Sequence, residues 1–180
     1  AVEEVGDDGY VIGVDLLSTS PVEGATIIIG DITNPNTIEQ VNDELEGYNL
    51  NCVISDISPR LTGRYDTDQA ISLELSTMVL DVAMTILAPG GSFVTKIFQG
   101  VGIEGLIEAA KMRFSSVQRF APTASRNSSS ETYLVCRNKL PKVRKEAKGK
   151  TAYQHLKEHL KKLDIVVENE SEKDETETKI

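Results

Sequence analysis

The chain has 180 residues, 39% of them hydrophobic, enough for one domain with a real core. It contains no Trp and only 5% aromatic residues, so that core must rest on Ile, Val, Leu and Ala. A net charge of −9 argues, as a total, against a nucleic-acid binder; no unbroken apolar run is long enough for a membrane span, and the opening AVEEVGDDGY lacks the basic and apolar stretches of a signal peptide.

Strand-like and helix-like segments alternate along the chain. Residues 10–15 (YVIGVD), 25–31 (ATIIIGD) and 51–56 (NCVISD) are short β-branched runs, each ending in an acid. Residues 92–98 (SFVTKIF) follow the turn Pro89-Gly90-Gly91, and residues 115–120 and 132–137 (TYLVCR) complete the set. Short apolar runs bounded by turn residues read as buried strands. Residues 34–45 predict a helix, because Asn34 suits an N-cap and Pro35 the first turn. Residues 68–87 predict the longest helix: Ile71, Leu75, Met78, Val79, Val82 and Ile86 recur at three and four, and Pro-Gly-Gly ends it. Ile103, Leu106, Ile107 and Ala110 place another over 103–112. The order β-β-α-β-α-β-α-β-β predicts an α/β domain with a largely parallel sheet, its final pair an antiparallel hairpin joined by residues 121–130. There is no internal repeat. Cys52 and Cys136 lie inside apolar runs and read as buried thiols of a reducing cytosol.

Charge divides the remainder. Residues 141–163 carry eight Lys or Arg against two Glu, and residues 164–180 carry seven Asp or Glu against two Lys. The first segment predicts a basic helical extension, outside the core formed by residues 1–140, with a narrow stripe of Leu156, Leu160 and Leu163. The second predicts an acidic disordered tail. A basic segment can touch RNA locally whatever the total charge, although a solvated helix is the plainer account.

Three acids, Asp15, Asp31 and Asp56, close three successive strands. Open α/β sheets bind ligands outside the carboxyl ends of their strands, where a carboxylate can accept bonds from ribose hydroxyls or an adenine amino group. One such acid is as readily a turn former; three together point to a nucleoside-containing cofactor. Lys96 sits in an otherwise apolar strand. Burying a cation is costly, and burial favours the neutral amine that a general base needs. Held by a nearby carboxylate, such an amine could accept the proton of a ribose 2′-hydroxyl; the plainer account is a lysine whose head reaches water at the strand end. Arg60, Arg64, Arg119 and Arg126 have the geometry for phosphates. Arg126, in the Ser-rich loop, is the best placed, and ordinary surface charge accounts for the other three. His155-Leu-Lys-Glu-His159 matches the H-x-x-E-H pattern of some zinc peptidases, but no further ligand follows, so no metal is expected.

The motifs SDISPRLTGRYDTD (residues 55–68), LAPGGSFVTKIFQG (87–100) and ASRNSSSETYLVC (124–136) resemble the FtsJ-type ribosomal RNA 2′-O-methyltransferases, a likeness running from about Gly9 to Asn138. The resemblance implies a Rossmann-like methyltransferase sheet, S-adenosyl-L-methionine as cofactor, and methylation of a uridine ribose in large-subunit ribosomal RNA. The family's catalytic set is Lys-Asp-Lys-Glu. Its Asp matches Asp56, its second Lys matches Lys96 and its Glu matches Glu131. Asp15 and Asp31 would contact the adenosine of the cofactor and Asp56 its methionine end. On residues alone Glu131 reads as a polar start to an edge strand.

Two parts of the family pattern have no counterpart in this sequence. The glycine-rich loop after the first strand and the first catalytic lysine would come before residue 1, so the chain is expected to begin in the helix after that loop, at residues 1–5. The missing strand would lie between YVIGVD and NCVISD, leaving two strand edges facing each other across a gap. The expectation is an incomplete sequence, inactive or poorly folded as written, of a monomeric cytoplasmic enzyme that acts on ribosomal RNA or its precursor particle without metal or membrane. The same chemistry on transfer RNA and a non-catalytic RNA-binding fragment are the rival readings.

Overall fold

The computed structural model describes residues 1–121 and 131–163. Arg126 with the Ser-rich loop, and the acidic segment 164–180, lie outside the described residues.

A single helical turn, α1 (Val2–Val5), precedes β1 (Val11–Asp15) and β2 (Ala25–Ile29). Then come α2 (Pro35–Glu44), β3 (Leu50–Ser55), α3 (Tyr65–Ile86), β4 (Leu87–Phe98), α4 (Ile103–Lys111), β5 (Phe114–Phe120), β6 (Glu131–Lys139) and α5 (Ala152–Lys162). The predicted order of elements is the observed one. Asn34 caps α2 as its sequence suggests, its side chain accepting from Asn36 N at 2.9 Å, with Pro35 in the first turn.

The strands form two sheets. β1 and β2 pair in parallel; β3, β4, β6 and β5 form a four-stranded sheet in that order. β3 runs parallel to β4, while β6 is antiparallel to both β4 and β5, so the sheet is mixed and the β5–β6 hairpin forms its edge. Among the described residues no strand pairs with the free edge of β1 or of β3, and a cleft of about 820 Å³ lies between their amino ends, bordered by Tyr10, Leu50 and Cys52. The two parts nevertheless share a core: Ile28 of β2, Val41 and Leu45 at α2, and Ile86 of α3 are buried together, with Ile12, Val14 and Val53 packed against them.

Three details differ from the sequence reading. The turn Pro89-Gly90-Gly91 does not precede the fourth strand but lies inside it. Leu50 pairs with Leu87 and Cys52 with Ser92, so extra residues of β4 bulge out and Gly90 takes φ 84°. Cys136 is buried as expected, but Cys52 is exposed, because β3 has a neighbouring strand on one side only. Burial pushes the Cys136 thiol up to about 12.

The third difference is larger. The basic segment was expected outside the core, yet α5 is part of it. α3 and α4 pack against the four-stranded sheet and α5 packs against both helices, with Ala152 and Leu156 buried in one cluster with Leu80, Leu106, Phe93 and Leu134. Leu156 is 2% exposed, whereas Leu163 is 50% exposed and lies beyond the helix. A capping box formed by Thr151 and Gln154 starts α5, and Asp81 of α3 accepts from Ala152 N at 2.6 Å and Tyr153 N at 3.0 Å, satisfying further first-turn donors. The buried Arg113 donates to Ala109 O and Lys150 O, both at 2.8 Å. Desolvation pulls its guanidinium below the usual arginine value, a shift opposed by the charge of Asp81. At the far end of α3, the Lys139 ammonium donates to Met84 O and Leu87 O, closing open carbonyls of that helix. α3 is long and apolar enough to cross a membrane by length and composition. Its position against β4, α4 and α5, with Leu73, Leu80 and Ala83 buried, makes it the central core helix.

Candidate active site

Within each sheet the parallel register puts neighbouring carboxyl ends together, those of β1 and β2 in one and of β3 and β4 in the other. Tyr10 and Leu50, at the amino ends of β1 and β3, line the same cleft, so the four carboxyl ends lie away from it, where open α/β sheets bind ligands. Asp15 ends β1, and Asp31 follows β2 after Gly30, whose N–H donates to Asp15 O at 2.8 Å. Both acids are exposed. Each also shapes its own turn: Asp15 Oδ1 accepts from Leu17 N at 2.8 Å, and Asp31 Oδ1 accepts from Thr33 N at 2.8 Å and Thr33 Oγ1 at 2.7 Å. The bonds seen are those of turn formers; among the described residues none is made to Oδ2 of either acid.

Lys96 and Glu131 are joined by register. Lys96 pairs with Tyr133 and Phe98 with Glu131 across β4 and β6. Side chains two apart on a strand share a face, so Lys96, Tyr133, Glu131 and Phe98 emerge from the same side, with Lys96 and Glu131 as diagonal neighbours. The last pair between β3 and β4 is Ser55 with Thr95, so Asp56 follows at the level of Lys96. Lys96 is half-buried and Asp56 exposed. The expected direct contact is not formed: no salt bridge links Lys96 to Asp56. Asp56 begins the loop that leaves the end of β3.

That loop is held from α3, through residues the sequence reading did not single out. Asp68 accepts from Thr62 N at 2.8 Å, Thr62 Oγ1 at 2.7 Å and Gly63 N at 3.2 Å. These bonds, those from Thr62 first, hold its carboxyl below the usual carboxylate range. One turn of helix also reaches the loop after β4: Tyr65 Oη donates to Gln99 O, and Gln69 Nε2 donates to Val101 O at 3.1 Å. The first turn of α3 thus ties together the two loops that border Asp56 and Lys96. The sequence signal was Asp68 itself, near the start of an apolar helix and six residues after Thr62, but nothing local distinguishes it from a surface acid.

Arg60 and Arg64 lie exposed on the loop after β3, and Arg119 is exposed on edge strand β5. The H-x-x-E-H residues are accounted for by packing. His155 Nε2 and His159 Nδ1 lie 3.8 Å and 3.3 Å from Glu108 Oε2 of α4, while Glu158 pairs instead with Lys150 at 2.7 Å. Among the described residues no three His, Cys, Asp or Glu side chains are arranged to hold a metal ion.

A family model described as FtsJ-like methyltransferase matches residues 1–139. The chain belongs to the FtsJ-like methyltransferase family. Among curated relatives, the ribosomal RNA large subunit methyltransferase E of Methanothrix thermoacetophila is 45% identical over 127 residues, covering 71% of this chain and 49% of that protein. The protein of the same name from Francisella philomiragia is 38% identical over 134 residues, covering 74% of this chain and 65% of its own length. The chain therefore spans about half to two thirds of these relatives. A crystal structure described as a ribosomal RNA methyltransferase from Plasmodium falciparum superposes with a TM-score of 0.66 at 23% identity, covering 73% of each chain. Human methyltransferase-like protein 13, in complex with SAH, superposes with a TM-score of 0.51 at 15% identity over 95% of this chain and 79% of that one. These likenesses establish a Rossmann-like methyltransferase fold, as the motifs implied.

Proposed function

We propose that this FtsJ-like chain carries the catalytic portion of an S-adenosyl-L-methionine-dependent enzyme that methylates a ribose 2′-hydroxyl, of a uridine, in large-subunit ribosomal RNA, in the cytoplasm. The observation that supports the reading best is the cross-strand placement of Lys96 and Glu131 on one sheet face, with Asp56 at the same level. The names of the curated relatives supply the substrate class.

Asp15 and Asp31 are the residues that would hold the adenosine. Both are exposed at or just past the carboxyl ends of β1 and β2, and ribose hydroxyls and an adenine amine are donors, so the chemistry fits. When bound, the cofactor supplies a methyl group on a sulfonium. Lys96 faces the incoming 2′-hydroxyl and receives or orients its proton as the O–CH3 bond forms and the S–CH3 bond breaks. Asp56 and Glu131 set the position and charge of the lysine. Exposed Arg60 and Arg64 flank the same end and suit phosphates. Alignment of oxygen, carbon and sulfur supplies much of the rate.

The experiment uses a protein containing this chain, unmethylated large ribosomal subunits and methyl-tritiated cofactor, followed by alkaline hydrolysis of the RNA. A 2′-O-methyl group blocks cleavage at its own linkage. Label recovered in alkali-resistant dinucleotides of large-subunit RNA is the expected result. Label in alkali-sensitive mononucleotides, or in transfer RNA alone, refutes it.

A further inference from the structure

The basic segment after β6 is not a loose run of charge. β5 runs in the same direction as β4, so residues 140–150 cross the sheet at the amino end of β5, opposite the end that carries Lys96. Their backbone is pinned there. Leu140 N donates to Arg113 O and Arg144 N to Met112 O, each at 2.9 Å, and the Arg113 guanidinium reaches Lys150 O at 2.8 Å. On this fixed backbone Lys142, Arg144, Lys145 and Lys148 are all exposed. Among the described residues none of the four enters a salt bridge. α5 then carries the charge back toward the catalytic end. It runs antiparallel to α4, with His155 and His159 beside Glu108 and Leu160 against Gly102 in the loop after β4. Exposed Lys161 and Lys162 therefore stand near that loop.

We infer that this strip, from Lys142 through Lys162, is a track for RNA backbone phosphates, gripping the substrate away from the nucleotide at the catalytic end. The inference rests on the reading of the protein as an RNA methyltransferase. A chain of net −9 repels RNA at long range, and residues 141–163 supply a local excess of six positive charges. Pinning the backbone lowers the ordering cost of binding. An anionic membrane is the other polyanion that suits such a strip, but a surface-bound helix needs an exposed apolar face. α5 has already buried its own, with Ala152 and Leu156 in the core and Leu160 packed against it.

The test is fluorescence anisotropy with a fluorescein-labelled hairpin of ribosomal RNA, titrated at several salt concentrations. The variant combines Lys142→Gln, Arg144→Gln, Lys145→Gln and Lys148→Gln in the protein with its full C-terminal segment. The expected result is an affinity loss of roughly tenfold or more, and a slope of log K against log salt shallower by about 3 to 4, since each of the four phosphate contacts contributes about 0.7 to 0.9. Melting temperature and calorimetric cofactor affinity should match the parent. An unchanged affinity and slope overturns the inference, as does a loss of binding to phosphatidylserine vesicles with RNA binding intact. The two readings fail separately: a parent that methylates RNA with the same KM as the variant removes the track alone. A parent that grips RNA through the strip yet transfers no methyl group removes the catalytic reading alone.

Discussion

Replacing Leu156 by Ala tests whether the basic helix is structural. Leu156 is 2% exposed and packs in the main core with Leu106, Ala109 and Leu80. Removing its isobutyl group leaves a cavity between α4 and α5 that neighbouring helix backbones cannot close. Buried Leu→Ala changes cost about 3–5 kcal/mol when the site does not collapse. For a chain of 180 residues each kcal/mol lowers the melting temperature by roughly 2–4 °C, so a fall of roughly 6–12 °C is expected at the lower figure. Leu163→Ala is the control: that residue is 50% exposed, and its loss should change stability by about 0.5 kcal/mol at most. Thermal and urea unfolding followed by circular dichroism give both numbers. If Leu156→Ala costs no more than Leu163→Ala, α5 is a peripheral appendage and the packing argument fails.

Three further outcomes follow from the geometry. Gly102 has φ 86°, and an added Cβ would sit 2.6 Å from Leu160 Cδ2, so Gly102→Ala should destabilise by about 1–3 kcal/mol in a urea titration. The Asp68 carboxyl is held below its unfolded value by the bonds from Thr62 and Gly63, so its contribution to anchoring the loop is complete above about pH 4 and is lost as pH falls through the lowered value. Hydrogen exchange at the Thr62 and Gly63 amides should accelerate below that range beyond the intrinsic pH trend, and Asp68→Asn should weaken the protection at neutral pH. Cys136, buried with its thiol raised to about 12, should react with Ellman's reagent only after unfolding, while exposed Cys52 reacts in the native state.

The order of elements was legible because apolar periodicity changes cleanly between two and 3.6 along this chain, and because Asn34-Pro35 marks a helix start in purely local terms. The nearness of Asp15 and Asp31 at the ends of β1 and β2 followed from the same order, since parallel strands put their carboxyl ends together. The juxtaposition of Lys96 and Glu131 was not readable from the residues. It depends on the antiparallel register of β4 and β6, which spans more than thirty positions of sequence, and family likeness alone pointed to Glu131. Charge misled the reading of α5: the exposed lysines dominate its composition, whereas Ala152 and Leu156 decide its place. The Thr151–Gln154 capping box lay in plain view in the sequence. The buried Arg113 and the clamp at Asp68 were hidden because their partners are mainly backbone groups, which leave no trace in residue identity, the Thr62 hydroxyl on Asp68 being the exception. Pro89-Gly90-Gly91 has the local chemistry of a terminator, but parallel pairing with β3 resumes beyond it and turns it into a bulge.

The central claim is that Lys96 serves the transferred methyl group's acceptor rather than the fold. Single-turnover methyl transfer by Lys96→Ala, in a protein containing this chain, tests it directly, with calorimetric cofactor affinity measured on the same sample. A loss of about 10²- to 10⁴-fold in the transfer rate is expected, with cofactor affinity within about twofold of the parent, the range for removing a proton-handling group. A rate within a few fold of the parent, or a loss of cofactor binding matching the loss of rate, would contradict the account.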